Sequence, residues 1–300
     1  MEMNNKETRR VVIGITAHVD AGKTTLAEAM LYRTGQLRKL GRVDHGSAAM
    51  DSHLLERERG ITIFLSQAEL PLGDMEVTLL DTPGHVDFSA EMERTLSVLD
   101  YAILVISGVD GVQAHTRTLW RLLELYRIPT FLFVTKMDFG RCGRGQMMEH
   151  LRHELGEGCV DFTPADRERR MEQLATCRED ALEAYLDGGE VPDALVRQLV
   201  GRRLVFPCWF GSGLKLEGID EFLDGLARYV EPPAYPAAFS ARVFKISHDP
   251  QGKRLTHLKV TGGTLRAKTQ LPCGKADQLR LYSGAKFRPL DEAGAGEVVA

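Results

Sequence analysis

The first two thirds of the chain alternate short apolar runs with segments of helical period. Each run has five to seven residues, which is typical of a strand buried on both faces, and polar or glycine-containing turns separate the runs. Strands are therefore predicted at residues 11–16, 77–81, 101–106, 130–135 and 204–210. A further strand is predicted at residues 61–70, beside the first strand, with an antiparallel orientation left open.

Helices are predicted between these strands, at residues 23–33, 88–98, 116–127 and 218–229. Buried strands that are separated by helices indicate an α/β domain with a doubly wound, mostly parallel sheet. Residues 143–203 interrupt the alternation, because they are highly charged and helical in pattern. We interpret them as a small helical insertion within this α/β domain, which we expect to span residues 1–233.

The pattern changes after Glu231-Pro-Pro-Ala-Tyr-Pro236, a segment typical of a stiff linker. Residues 237–300 alternate strand-like segments with glycine turns such as Gly262-Gly263, which favours an all-β module. The sequence ends at Gly296-Glu-Val-Val-Ala300, within a predicted strand. We therefore expect this module to be the start of a β-barrel, and the chain to be the front part of a longer protein.

The composition is that of a soluble globular chain, with 43% hydrophobic and 27% charged residues. Five cysteines without a CxxC pair and a polar amino-terminal segment favour reduced thiols in a cytoplasmic protein. No apolar run is long enough to span a bilayer, so no membrane partner is expected. The net charge of −4 also argues against a chain that binds nucleic acid over its whole surface.

The charge is distributed unevenly between the two parts of the chain. Residues 237–300 contain eleven Lys and Arg against five Asp and Glu, a net charge of +6, and the rest of the chain carries −10. A basic β module suits docking against phosphate groups of RNA, although a solvated lysine-rich surface is the simpler alternative.

A phosphate-binding loop is predicted directly after the first strand, at Ala17-His-Val-Asp-Ala-Gly-Lys-Thr24. This is a Walker A arrangement with alanine in place of the first glycine. Gly22 permits close backbone approach, Lys23 would neutralise the β and γ phosphates, and the Thr24 hydroxyl would ligate Mg²⁺. A chance GKT in a strand-turn-helix is the alternative, and the flanking strand and helix disfavour it. The predicted phosphate-binding residues are Asp20, Ala21, Gly22, Lys23, Thr24, Thr25 and Gly84.

A base-recognition motif follows the strand at 130–135, in Thr135-Lys-Met-Asp138. The Asp138 carboxylate can accept two hydrogen bonds from guanine, from N1–H and from the exocyclic amine, which adenine cannot supply. A buried acceptor left unpaired is costly, so this pair of bonds gives strong base selectivity. The Lys136 stem would lie along the purine face. The sequence therefore predicts GTP and GDP as ligands.

Together with Asp81-Thr-Pro-Gly-His85 and Arg57-Glu-Arg-Gly-Ile-Thr-Ile63, these motifs make the chain resemble elongation factor G-type translational GTPases over essentially its whole length. More closely, it resembles the ribosomal protection proteins that confer tetracycline resistance. The closer resemblance lies in Leu54-Leu-Glu-Arg-Glu-Arg-Gly-Ile-Thr62, Ser97-Val-Leu-Asp100 and Gly111-Val-Gln-Ala-His-Thr-Arg117. The short insertion between Asp138 and Ser212 also suits that branch.

The resemblance implies roles for further residues. His85 would orient the hydrolytic water behind a gate formed by Val19 and Ile61, and Thr62 would complete the Mg²⁺ shell in the triphosphate state. Asp81 would hold Mg²⁺ through a water, and Gly84 would contact the γ phosphate. The catalytic set is accordingly His85, Lys23 and Thr62, and the metal set is Thr24, Thr62 and Asp81.

Two departures from the family pattern concern the guanine site. Thr135 stands where the family has an asparagine that braces the phosphate loop, which favours some loss of affinity. Ser212 and Gly213 match the fifth motif, with glycine where alanine is usual, and a plain strand-to-helix turn is the alternative there. The predicted guanine-binding residues are Thr135, Lys136, Asp138, Ser212 and Gly213.

The resemblance also implies a monomeric factor that binds the ribosome in its GTP form, with rRNA and ribosomal proteins as the GTPase activator. Hydrolysis of GTP to GDP and phosphate would trigger release, and tetracycline-stalled ribosomes are a candidate partner. The alternatives are an elongation factor G-like translocase and a GTP-gated ribosome-binding regulator without significant turnover. A P-loop kinase is disfavoured, because Asp138 selects guanine and no acceptor pocket is evident.

Overall fold

The computed structural model describes residues 9–41, 66–82, 89–139, 142–163, 167–249, 251–272, 274–284 and 286–300. A seven-stranded sheet organises the part of the chain before residue 211, in the order β2-β3-β1-β4-β5-β7-β6. Every neighbouring pair is parallel except β2 and β3. The strands are β1 (Arg9–Ala17), β2 (Ser66–Leu72), β3 (Met75–Asp81), β4 (Tyr101–Ser107), β5 (Thr130–Thr135), β6 (Cys159–Asp161) and β7 (Phe206–Phe210).

The central strands are buried on both faces, as their apolar sequences require. All seven residues of β4 and all six of β5 are buried. Successive residues of β4 pack into two different cores, Ile103 and Val105 into one and Leu104 and Ile106 into the other. The sheet therefore needs helices on both faces, and the predicted α/β fold class is confirmed.

Eight helices are described in the α/β part of the chain: α1 (Lys23–Arg33), α2 (Ser89–Leu96), α3 (Ala114–Leu125), α4 (Arg144–Leu155), α5 (Arg167–Ala175), α6 (Glu179–Gly188), α7 (Asp193–Gly201) and α8 (Ile219–Tyr229). Helices α1 and α8 cover one face of the sheet through residues such as Met30 and Phe222. Helices α3 and α4 cover the other through residues such as Leu123 and Leu151. None of the helices in the described ranges combines the length and apolar character needed to cross a membrane.

The position predicted for one strand is wrong. The strand expected beside β1 at residues 61–70 is β2, which begins at Ser66 and pairs antiparallel with β3 at the sheet edge. A tight turn at Gly73, with φ 61°, joins β2 to β3, so β3 takes the place next to β1. Residues 61–65 lie outside the described residues.

The stretch predicted as a helical insertion contains one element that its sequence did not reveal. The three residues of β6 extend the sheet beyond β7, and α4 before them packs into the core with Met147 and Leu151. The helices α5 to α7 follow, and their apolar residues join the opposite core through Leu174 and Leu199. Within this stretch, it is α5 to α7 that depart from the alternation of strand and helix.

Small antiparallel sheets make up the chain from residue 240 onwards. They are formed by β8 (Ser240–His248), β9 (Arg254–Gly262), β10 (Thr264–Arg266), β11 (Gln270–Leu271), β12 (Gly274–Lys275), β13 (Leu279–Ser283), β14 (Lys286–Leu290), β15 (Glu292–Gly294) and β16 (Val298–Val299). Six buried residues, among them Val260, Leu281 and Val299, form their own core. The all-β character predicted for this region is confirmed.

A buried ion pair joins this β module to the α/β domain. The Lys259 ammonium on β9 lies 2.6 Å from Asp100 Oδ1 and donates to the Val98 carbonyl at 3.1 Å. The other oxygen of Asp100 accepts the backbone N–H of Val12 at 2.8 Å. Only 4% of the Lys259 side chain is exposed. Burial lowers the pKa of Lys259 below its ordinary value, and Asp100 opposes that shift.

Candidate functional site

The loop between β1 and α1 has the conformation that its motif predicts. Gly22 has φ 92° and Asp20 has φ 59°, both in the left-handed region that reverses the chain. The Ala21 N–H donates to the His18 carbonyl at 3.1 Å, and the Leu26 N–H donates to the Gly22 carbonyl at 2.9 Å. The loop therefore curls directly into the amino terminus of α1, where backbone N–H groups favour an anion.

Lys23 and Asp81, far apart in sequence, meet at the carboxyl end of β3. Asp81 is the last residue of β3 and lies in register with Ile15 of β1, which leads into the loop. The Lys23 ammonium bonds the Asp81 carboxylate, and both side chains are buried. The structure thus brings together the predicted phosphate ligand and the predicted metal ligand.

Thr135, at the end of β5, is bonded directly to the loop. Its hydroxyl donates to the Ala21 carbonyl at 2.5 Å, and its side chain is the nearest neighbour of Gly22. A Cβ on Gly22 would lie 3.4 Å from the Thr135 oxygen. The next residue, Lys136, donates from Nζ to the Asp20 carbonyl at 2.6 Å. The hydroxyl of Thr135 therefore braces the loop, a role that the family pattern gives to an asparagine amide.

Replacing Thr135 with valine should weaken nucleotide binding by roughly tenfold, because it removes the brace and leaves the Ala21 carbonyl unpaired, at about 1–2 kcal/mol. Titration with a fluorescent GDP analogue measures this loss. The matched control is Thr130→Val, since Thr130 is also buried and donates to a carbonyl, that of Ile128 at 2.8 Å, remote from the loop. The control should lower stability without changing affinity. Equal affinities of wild type and Thr135→Val would contradict the bracing role.

Asp138 lies in a short 3₁₀ turn, Met137–Phe139, directly after the brace. Only 4% of its side chain is exposed. Among the described residues, its Oδ1 has no hydrogen-bond partner, and its Oδ2 lies 3.3 Å from the Lys215 ammonium. A buried carboxylate oxygen without a donor is costly, so this atom is suited to a ligand that brings one. Lys215 belongs to none of the motifs above, so its place beside Asp138 could not be predicted.

Ser212 and Gly213 follow β7 and complete the pocket around Asp138. Ser212 and Glu217 exchange two backbone hydrogen bonds of 3.0 Å, which close the loop between β7 and α8. A Cβ on Gly213 would lie 3.1 Å from the Thr25 carbonyl oxygen, so glycine permits close contact with the first turn of α1. The result is an open cleft beside Asp138. Its lining residues include Gly22, Thr25, Thr135, Lys136, Asp138, Ser212 and Gly213.

The other predicted site residues divide into two groups. Val19 and Thr24 are half-buried in and beside the loop, and Ala21 is buried. Ile61, Thr62, Gly84 and His85 lie outside the described residues. The structure therefore brings the loop residues together with Asp138 and Ser212, and the roles of all the predicted site residues stay predictions.

A loop of this conformation between β1 and α1, with an acid at the end of β3, is typical of nucleotide-binding domains of the P-loop class. Residues 8–232 match the family described as elongation factor Tu GTP binding domain. The chain belongs to this family, and the resemblance to translational GTPases is confirmed.

Several relatives are tetracycline resistance proteins. The chain is 38% identical over 294 residues to the oxytetracycline resistance protein of Streptomyces rimosus, covering 88% of this chain and 44% of the relative. It is 32% identical over 312 residues to the tetracycline resistance protein TetM of Ureaplasma urealyticum, covering 96% and 48%. It is 30% identical over 309 residues to TetO of Campylobacter jejuni, covering 96% and 48%. The chain thus spans about half the length of the curated relatives it matches.

A solved structure supports the same fold. The crystal structure of a protein from Thermus thermophilus matches with a TM-score of 0.86 and 27% identity. The match covers 97% of this chain and 52% of that protein. The likeness therefore includes the β module as well as the α/β domain.

Proposed function

We propose that this chain is the GTP-hydrolysing part of a ribosomal protection protein that releases tetracycline from the ribosome. The observation that carries the proposal is the pocket in which the phosphate loop, braced by Thr135, meets the buried acceptor of Asp138. This arrangement suits guanosine nucleotides and disfavours adenosine nucleotides. The tetracycline part rests on the named relatives.

The residues present fit Mg²⁺ as the metal. The proposed ligands are the Thr24 and Thr62 hydroxyls and, through a water, the Asp81 carboxylate, which are the hard oxygen donors that Mg²⁺ prefers. The contact between Lys23 and Asp81 indicates that the end of β3 already accommodates a cation. When bound, Mg²⁺ neutralises charge on the phosphoryl oxygens.

In the proposed reaction, some groups of the chain position the attacking water and others stabilise the developing charge. A water attacks the γ phosphorus in line with the bond to the leaving GDP, and His85 orients that water behind the gate of Val19 and Ile61. Lys23 and the N–H groups of the phosphate loop stabilise the charge that develops on the phosphoryl oxygens. The Gly84 N–H contacts the γ phosphate. We expect slow hydrolysis without ribosomes, since the ribosome would organise His85.

The ribosome is the proposed partner, and the charge asymmetry bears on how it would be bound. Part of the basic charge of the β module faces the acidic α/β domain, where Lys259 pairs with Asp100 and Lys245 with Glu91 at 3.0 Å. Other basic residues remain exposed and available for rRNA phosphates. They are Lys253, Arg254, Lys268 and Lys286.

The domain division proposed for this function places the GTP-binding domain at residues 1–233, with a helical insertion at about 143–203, and the start of a β-barrel at 237–300. We further propose that the protein acts in the cytoplasm as a monomer.

Release of labelled tetracycline from ribosomes by the full-length protein and GTP tests the protection function. Translocation activity without drug release would contradict it and would indicate the translocase instead.

Replacing His85 with alanine should leave GTP binding unchanged and lower ribosome-stimulated hydrolysis by about 100-fold or more, because the attacking water loses its orienting group. Single-turnover phosphate release by the full-length protein with ribosomes measures the effect. His153→Ala is the control, since 84% of that side chain is exposed. Loss of GTP binding in His85→Ala, or unchanged hydrolysis, would show that the role is misassigned.

A further inference from the structure

The Lys215 ammonium lies beside Asp138, the residue proposed to bind the base. It is 3.3 Å from Asp138 Oδ2, and Asp138 Oδ1 is buried without a partner among the described residues. The two carboxylate oxygens are therefore not equivalent. Asp138 Oδ1 lacks a donor, and Asp138 Oδ2 already contacts the Lys215 ammonium.

The backbone of Lys215 is held close to this position. Ser212 and Glu217 close the loop with two hydrogen bonds of 3.0 Å, and the Lys215 N–H points to Ser212 Oγ at 3.4 Å. Leu216 has φ 60°, a left-handed conformation that completes the turn. The side chain itself is 53% exposed, so it can leave Asp138 by moving into solvent.

We propose that Lys215 is a specificity-determining residue that competes with the purine 2-amino group for Asp138 and so reduces the preference for guanine over hypoxanthine. This inference rests on the proposed function, since it assumes that Asp138 reads the base. Guanine offers N1–H and a 2-amino group and needs both carboxylate oxygens. Hypoxanthine offers N1–H alone, pairs with Oδ1 and leaves Lys215 on Oδ2. Only guanine has to displace the ammonium.

The expected size of the effect is moderate because the ion pair is half-exposed. Contacts of this kind are weak in water, and displacing one lowers affinity by about two- to fivefold. Salt screens such contacts, so the penalty should shrink as ionic strength rises. The competition therefore sets a modest, salt-dependent limit on guanine selectivity.

The test compares GDP and IDP binding to wild type and to Lys215→Met, which keeps the apolar stem and removes the charge. GDP should bind about two- to fivefold more tightly to the variant at low salt, and IDP should bind equally to both. The GDP gain should fall at high salt. Arg121→Met, which removes an exposed cation of α3 outside the pocket lining, should change neither affinity. Thermal unfolding with and without GDP verifies that each variant is folded.

Each outcome separates this inference from the proposed function. Equal gains for GDP and IDP, no gain, or weaker GDP binding in Lys215→Met would overturn the competition. If wild type binds GDP far more tightly than ADP, the base assignment stands even when the competition fails. If wild type binds GDP and ADP equally, Asp138 does not select the base, and the proposed function itself is refuted.

Discussion

Replacing Asp138 with asparagine is expected to turn a guanine site into a xanthine site. The carboxylate accepts two N–H donors of guanine, and the amide can accept only one while its NH₂ group faces the other. Xanthine carries a carbonyl at that position and pairs with the amide. The buried setting of Asp138 enlarges the difference, because an unmatched donor has little access to water there.

The affinity for GTP should fall by about 100-fold, and XTP should become the preferred nucleotide. Competition of GTP and XTP against a fluorescent nucleotide gives both constants in one experiment. Asp224→Asn is the matched control, since Asp224 is exposed on α8 and outside the pocket lining. Unchanged selectivity in Asp138→Asn would refute the assignment of this residue to the base.

The Lys259→Met variant should be about 3–5 kcal/mol less stable than wild type, because it leaves the Asp100 carboxylate buried without its cation. Asp100 would keep the bond from Val12 N–H and a long contact of 3.5 Å from the Tyr235 hydroxyl, and these two neutral donors do not replace the cation. The double variant Lys259→Met with Asp100→Asn should recover most of the loss, since no charge then remains buried. Urea unfolding of wild type, Lys259→Met, Asp100→Asn and the double variant measures the coupling free energy.

Lys275→Met serves as the control for this series, because Lys275 is half-exposed beside the exposed Asp277 and its contact of 3.4 Å should be worth under about 1 kcal/mol. A loss below about 1 kcal/mol in Lys259→Met would mean that the two parts of the chain are not held together by this pair. A loss in the double variant equal to the sum of the two single losses would exclude coupling between the two charges.

Much of the α/β fold was predictable because its strands are long apolar runs. The run at 101–106 falls within β4, and the run at 130–135 coincides with β5. Two features of the α/β fold could not be predicted from the sequence. Three residues are too few to show a strand period in β6, which lies in a charged helical stretch. The sheet order at β2 depends on a hairpin turn at Gly73, and local hydrophobicity does not encode which neighbour a strand selects.

The site residues also fall into two groups. Contiguous motifs identify some of them, and only the fold brings the others together. The phosphate loop and Asp138 were predictable, because contiguous residues carry their chemistry. The brace between Thr135 and Ala21 joins residues 114 positions apart, and the interdomain pair of Lys259 and Asp100 joins residues 159 apart. The contact of Lys215 with Asp138 is equally unmarked in the sequence. Such pairs are set by the topology of the sheet, which places the ends of β1, β5 and β7 at one edge.

The two bonds between the base loop and the phosphate loop have a consequence for how a nucleotide leaves. Thr135 and Lys136 hold the carbonyls of Ala21 and Asp20, which are consecutive peptide groups. These two bonds join the segment proposed to bind the base to the segment proposed to bind the phosphates. A movement of one loop away from a bound nucleotide would break its bonds to the other. We therefore expect the two loops to move together when a nucleotide leaves.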